Sequence, residues 1–279
     1  MKITLFTSNK NRHNYLINLL ANICDELFVV QECSTIFPGA VPGHYPVSET
    51  MKNYFKEVNK AQLKIFNDCY VNNDLKNIKT MPILLNDLNK CSLSSLSNFL
   101  KSDIYLVYGS SYIKGELIDF LVEQKAVNIH MGISPYYRGT DCNFWALYDN
   151  NPHLVGATIH ILSKGLDSGP MLYHALSKNK SNPFEYSMST VKSAFHSIAE
   201  RIKDKSIFEI KPVLQNKLEL RAQAVRDLED KVYELTSQVD VGHENAIDLK
   251  AQLHMSQEEL SATKVRQDVS VIVNGHRYK

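Results

Sequence analysis

The chain has 279 residues, with 31 Lys and Arg against 30 Asp and Glu and 44% hydrophobic residues. That length buries one large core, or one core of about 200 residues plus a small appendage. The cancelling charge supplies no bulk field to recruit nucleic acid or an anionic membrane, so neither is an expected partner.

Cys24, Cys33, Cys69, Cys91 and Cys142 are widely spaced and include no C-x-x-C pair. This argues against a disulfide framework and a structural zinc site, and points to a reducing, cytoplasmic location. The apolar run Ile3–Phe6 is too short for a signal-peptide core, and no stretch approaches the roughly 20 apolar residues of a membrane span.

In chain order, residues 2–7 read as a buried strand, and Ser8-Asn9 end it before a helix with Tyr15, Leu16, Leu19, Leu20 and Ile23 on one stripe. Leu27–Val30 is a second strand, giving a β-α-β opening. The turn between them is S-N-K-N-R-H and lacks the glycines that let backbone approach a pyrophosphate, so NAD is not expected. Residues 34–47 hold Gly39, Pro42, Gly43 and Pro46 and read as loop, after which Ser48 caps a helix from Glu49 to Asn67. Its apolar side carries Met51, Tyr54, Phe55, Val58, Leu63 and Phe66.

Strands are expected at 103–107, 126–129, 156–161 and 171–175, with helices at 115–123 and 184–203. This alternation predicts an α/β fold: an open, mostly parallel sheet with helices on both faces. After Pro212 the composition changes. Val225, Leu228, Val232, Leu235 and Val239 recur at steps of three and four, Leu249, Leu253 and Leu260 follow, and V-S-V-I-V before Asn274-Gly275 reads as a short terminal strand. Residues 1–212 are therefore expected to form the main domain and 213–279 a smaller helical tail, docking on the core or on a second subunit of a homodimer.

Two spaced motifs stand out: Asn128-x-His130 followed by Pro135-x-x-Arg138-Gly139, and Thr158-Ile159-His160 followed by Gly165-x-Asp167-x-Gly169. On a strand Asn128 and His130 leave from the same face. Plainer readings exist for each. His130 is then a satisfied polar residue at a strand end, Asp167 an Asx-turn former, His160 a structural histidine and Arg138 the partner of a surface carboxylate. Phe144, Trp145 and Leu147 read as helix-to-sheet core rather than a ligand platform.

Over roughly residues 2–205 the chain resembles the folate-dependent formyltransferases, a family that includes glycinamide ribonucleotide transformylase, methionyl-tRNA formyltransferase and amino-sugar N-formyltransferases. The family usually has a serine and two leucines before the motif proline, where this chain has Gly132, Ile133 and Ser134 at unchanged spacing. The resemblance implies a Rossmann-like formyltransferase fold, N10-formyltetrahydrofolate as donor, a primary amine as acceptor and no metal. It carries the catalytic roles onto Asn128, His130 and Asp167. The chemistry suits them: Asn128 donates to an oxygen that gains charge, His130 donates or relays protons, and Asp167 orients the ring or takes the amine's proton.

The resemblance also puts the pterin against Tyr105, Val107, Tyr108, Gly109, Leu162 and Gly165, while Arg12, His13, Arg138 and His160 are candidate acceptor contacts. A tRNA acceptor asks for a basic C-terminal domain, yet residues 221–279 hold eight Lys and Arg against ten Asp and Glu. The purine-pathway enzyme asks for a glycine run absent from Ser8–His13. By elimination the expected acceptor is an amino-sugar nucleotide for surface polysaccharide synthesis, with hydroxyornithine or methionyl-tRNA as alternatives and a folate-binding or assembly protein with a relic site as the non-enzymatic one.

Overall fold

The computed structural model describes residues 1–33, 49–215, 271–273 and 276–278. The chain divides into two compact units, 1–214 and 215–279. In the first, strands β1 (Lys2–Ser8), β2 (Glu26–Cys33), β3 (Ile78–Leu84), β4 (Ile104–Val107), β5 (Val127–His130), β6 (Ala157–Ile161) and β7 (Met171–Ala175) form one sheet of order β3-β2-β1-β4-β5-β6-β7. The first five are parallel neighbours, and β6 and β7 add antiparallel.

Helices α1 (Asn11–Ala21), α2 (Glu49–Phe66), α3 (Gly115–Glu123), α4 (Cys142–Tyr148) and α5 (Pro183–Lys203) complete this unit. The period-two alternation of strands sorts side chains into two apolar layers. Ile3, Leu5, Val127 and Ile129 join Leu16, Phe66 and Phe195 beneath α1, α2 and α5. Phe6, Tyr105 and Val107 join Leu117, Ile118 and Leu121 beneath α3. Because Val127 and Ile129 take the first layer, Asn128 and His130 leave β5 on the other face. The open α/β sheet with helices on both faces is as the sequence predicts, with element ends moved by up to three residues.

In the first unit one strand was not foreseen. The segment that forms β3 is broken up by Lys79, Thr80 and Pro82, and its burial alternates between half-buried and exposed positions. It is an edge strand, where a proline costs no ladder bond on the solvent side. In the second unit β8 (Val271–Val273) pairs antiparallel with β9 (His276–Tyr278), so the expected terminal strand has a partner that sequence did not indicate. The expected loop at 34–47 and the stripe running from Val225 through Leu260 lie outside the described residues.

Helix α5 fastens the first layer. Asn182 caps it by accepting from the Glu185 amide at 3.0 Å, with Pro183 in the first turn. Its Phe195 is fully buried, with ring centres 4.8 Å from Tyr108 and 6.2 Å from Phe66. Phe195→Ala removes that packing and leaves a cavity, so a loss of about 3–5 kcal/mol is expected in urea unfolding; an unchanged midpoint would mean that α5 does not carry the core.

Candidate active site

Strand β5 pairs antiparallel with β6, in a register that sets Asn128 opposite His160 and His130 opposite Thr158. The connection after β6 then brings Asp167 to the same place, in the left-handed region at φ 44°. Gly169 makes this return possible, since a Cβ there would stand 1.7 Å from the Ile161 carbonyl oxygen.

The Asn128 amide Nδ2 lies 3.0 Å from His160 Nε2 and 3.0 Å from Asp167 Oδ1. His160 Nδ1 lies 2.9 Å from the Ile161 carbonyl oxygen, which only accepts, so that nitrogen holds the proton and Nε2 is free to accept from Asn128. Both Asn128 amide hydrogens are thus committed, and a carbonyl oxygen approaching this group has to share or displace one of the bonds. Asp167 Oδ2 accepts the Gly139 amide at 3.0 Å and faces His130 Nδ1 at 3.2 Å. His130 Nε2 lies 2.9 Å from the Tyr137 carbonyl oxygen. Burial pushes the Asp167 carboxyl up, but the His160 contact, the His130 charge and the Gly139 amide together outweigh it and leave the group below the usual carboxylate value. The structure therefore brings Asn128, His130, Asp167 and His160 into one network. Arg138 sits half-buried between Tyr137 and Gly139, both of which touch that network.

The departure at residue 132 has a steric reason. A Cβ on Gly132 would lie 2.6 Å from Cys142 Cβ, 2.7 Å from His130 Nε2 and 2.8 Å from the Tyr137 carbonyl oxygen. Thr158 Oγ1 holds this loop, donating to the Gly132 carbonyl at 2.6 Å and accepting from the Ser134 amide at 2.8 Å. His174 Nδ1 meets the same hydroxyl at 3.1 Å.

On the side of α1, Arg12 is hydrogen-bonded to Gln62. His13 needs correction as an acceptor contact. It is 2% exposed, its Nδ1 is 2.7 Å from Thr7 Oγ1, and burial, with Arg12 and Lys10 nearby, holds its pKa well below the usual value. It packs beneath Gly109, where a Cβ would come within 2.7 Å of its ring. A neutral buried imidazole packs the turn but brings no charge to a phosphate.

Among the residues read as pterin contacts, Tyr105 and Val107 have no side chain facing a ligand. Their side chains lie in the layer beneath α3, and the Tyr105 hydroxyl takes the Ser102 amide at 3.1 Å. Tyr108 is likewise buried, while Gly109, at φ 59°, begins the loop that follows β4, and Leu162 and Gly165 belong to the connection bearing Asp167. Between these two segments lies a cavity of about 260 Å³ whose walls include Tyr112, Ile113, Gly115, Ile118 and Lys164. Sequence reading missed these positions because Y-I-K-G matches no spaced motif.

Their loop is pinned from below. The buried Glu32 carboxylate accepts from the Asn86 amide at 3.0 Å and from the Ser111 amide and hydroxyl at 2.5 and 2.9 Å. Asn89 accepts from the Lys114 amide at 2.7 Å and donates to the Tyr112 carbonyl at 2.8 Å. Across the cavity the Tyr112 hydroxyl donates to the Lys164 carbonyl. Phe144 and Trp145, expected in the core, are 37% and 49% exposed. Helix α4 turns its small residues Cys142, Asn143 and Ala146 inward instead. Among the described residues no group of three or more His, Cys, Asp or Glu is arranged to hold a metal ion, and no helix is long and apolar enough to cross a membrane.

Two measurements test this geometry. Gly132→Ala forces its methyl onto His130 and Tyr137, and should cost about 1–3 kcal/mol in chemical unfolding. Burial drops the His174 pKa from 6.5 to about 4. Between those values the unfolded chain binds the extra proton, so stability rises with pH across that window and is lost as pH falls through it. The urea midpoint should decline between neutral pH and pH 4.5 more steeply for this chain than for His174→Gln; equal slopes would remove His174 as a source of acid sensitivity.

Residues 100–204 match the family model described as "Formyl transferase". A 73-residue stretch, 26% of this chain, is 34% identical to methionyl-tRNA formyltransferase of Thermosynechococcus vestitus and spans 22% of that relative's length. In three dimensions the chain is similar to the crystal structure of phosphoribosylglycinamide formyltransferase from Anaplasma phagocytophilum, with a TM-score of 0.50, 16% identity and coverage of 78% of this chain and 95% of that one. A 4-N formyltransferase from Francisella tularensis gives a TM-score of 0.44 at 18% identity, covering 77% and 73% of the two chains. The match to that model covers the segment that holds Asn128, His130, His160 and Asp167.

Proposed function

We propose that this protein transfers a formyl group from N10-formyltetrahydrofolate to a primary amine carried by a nucleotide-linked amino sugar. The observation that carries the reading is the closed network of Asn128, His130, His160 and Asp167, within the segment that matches the family model. The residues around the neighbouring cavity suit the donor's chemistry: Tyr112, Ile113 and Ile118 offer walls to a planar ring, and Lys114 suits a carboxylate tail, Lys164 being paired with Asp119 in the same wall. Bound there, the folate would supply the formyl carbon: as the amine nitrogen bonds to it, the bond from that carbon to N10 would break and N10 would leave with the proton that the amine sheds.

The protein's part is electrostatic and acid–base. Asp167, held below the usual carboxylate value, is ionised at neutral pH and can take the proton that the amine sheds. Asn128 can redirect one N–H to the formyl oxygen as charge gathers on it, while His160 keeps the amide turned the right way. His130, gripped by Asp167 and the Tyr137 carbonyl, fixes the carboxylate and stabilises its charge. The amino-sugar acceptor is supported by elimination: residues 221–279 carry no basic excess for tRNA, and Ser8–His13 has no glycine run for a single phosphate.

Incubation with N10-formyltetrahydrofolate and a panel of amines, read by product mass, should give a formylated nucleotide sugar. Asn128→Ala should slow single-turnover transfer by about 10²–10³ with little change in folate affinity. Asp167→Asn should also slow it, and the double variant should lose far less than the sum of the two. Tight folate binding without turnover on any amine would instead make the chain a folate-binding protein, and near-normal turnover in Asp167→Asn would overturn the assignment of the base.

A further inference from the structure

The register of the sheet sets three side chains in one row across its antiparallel end. His130 of β5 stands opposite Thr158 of β6, and Thr158 stands opposite His174 of β7. Directly opposed residues share a face of the sheet, so the row runs from the edge strand to the candidate active site. The shift in register between β6 and β7 comes only beyond Ile159, which leaves this rung regular.

The hydroxyl of Thr158 is fully used. Its one hydrogen goes to the Gly132 carbonyl at 2.6 Å, and it accepts from the Ser134 amide at 2.8 Å, which leaves it one lone pair. His174 Nδ1 lies 3.1 Å from the same oxygen. With its hydrogen committed to a carbonyl, the hydroxyl can only accept from the ring, so His174 carries its proton on Nδ1. Burial keeps that ring neutral at neutral pH by pulling its pKa down to about 4.

The turn that Thr158 holds is the one that shapes the surroundings of His130. A Cβ at Gly132 would fall 2.7 Å from His130 Nε2, so the backbone there lies against the ring. Ile133, between the two held residues, accepts the Tyr137 amide at 3.0 Å, and the Tyr137 carbonyl lies 2.9 Å from His130 Nε2. Ser134 Oγ is buried and has no hydrogen-bond partner among the described residues. The turn is fastened to Thr158 through its backbone and not through its serine.

We propose that His174 is a positioning residue for the candidate active site: by donating through Nδ1 to Thr158 it fixes the hydroxyl on the Gly132–Ser134 turn and so sets the imidazole of His130. Its effect on rate rests on the formyl-transfer reading; the row of hydrogen bonds does not. A residue that only filled space here could be replaced by any side chain of similar bulk. This position needs a donor.

The test separates the donor from the space it fills. In the full chain, His174→Leu keeps the bulk and removes the donor, whereas His174→Gln keeps an N–H. Single-turnover transfer should fall on the order of tenfold in His174→Leu with folate affinity unchanged, and should recover in His174→Gln. Thr158→Val against Thr158→Ser repeats the comparison at the next link, should His174→Leu fail to fold. Proton–nitrogen spectra of the histidine rings at neutral pH should show His174 as the neutral Nδ1–H tautomer. In the same spectra the His130 signals should move in His174→Leu and return in His174→Gln. Equal rates in His174→Leu and His174→Gln, or His130 signals unmoved by either, would overturn the proposal. So would a ring proton on Nε2, shared with the Ala157 backbone. Both spectral signatures without formylation of any amine would defeat the proposed reaction and leave the coupling of His174 to His130 standing; normal transfer in every variant would defeat the positioning role alone.

Discussion

The site depends on one side-chain amide caught between two acceptors. Asn128 offers two hydrogens, and His160 Nε2 and the Asp167 carboxylate take one each. This requires β6 to run antiparallel to β5 so that His160 falls directly opposite Asn128. It also requires the chain after β6 to fold straight back, which Gly169 permits by letting the backbone lie against the Ile161 carbonyl. A further parallel strand beside β5 would have needed a long crossover and would have carried the next loop elsewhere. The two antiparallel strands are therefore what closes the polar network.

Much of this was legible. The β-α-β opening, the long α2 and the closing α5 follow from apolar periodicity, and Asn128 and His130 show their common face through the period of a strand. Asp167 and His160 emerge from a resemblance in motifs rather than from pattern. What remained hidden depends on tertiary contacts. Sequence spacing does not show that Glu32, at the end of β2, reaches Ser111, or that Tyr112 reaches Lys164. Nor does it show which way a seven-residue helix faces: Phe144 and Trp145 look like core because they are large and apolar, yet Cys142, Asn143 and Ala146 are what fit against the sheet. His13 misleads in the opposite sense, a polar residue in a turn that proves to be packing.

Charge and burial divide the work around the sheet. Lys10 and Arg12 stand at the start of α1, whereas the α3 side carries an open cavity with Tyr112, Ile113 and Ile118 in its walls. The carboxylate of Asp167 is low enough in pKa to stay charged and enclosed enough for that charge to act over short distances with little screening.

Glu32 sits at the bottom of this arrangement, 1% exposed, its two oxygens shared among three donors from two different loops. The ordering entropy of the 109–114 segment is thus settled during folding and is not charged to whatever later enters the cavity. The shape of that cavity is consequently tied to the stability of the domain itself, through a carboxylate that lies outside its walls.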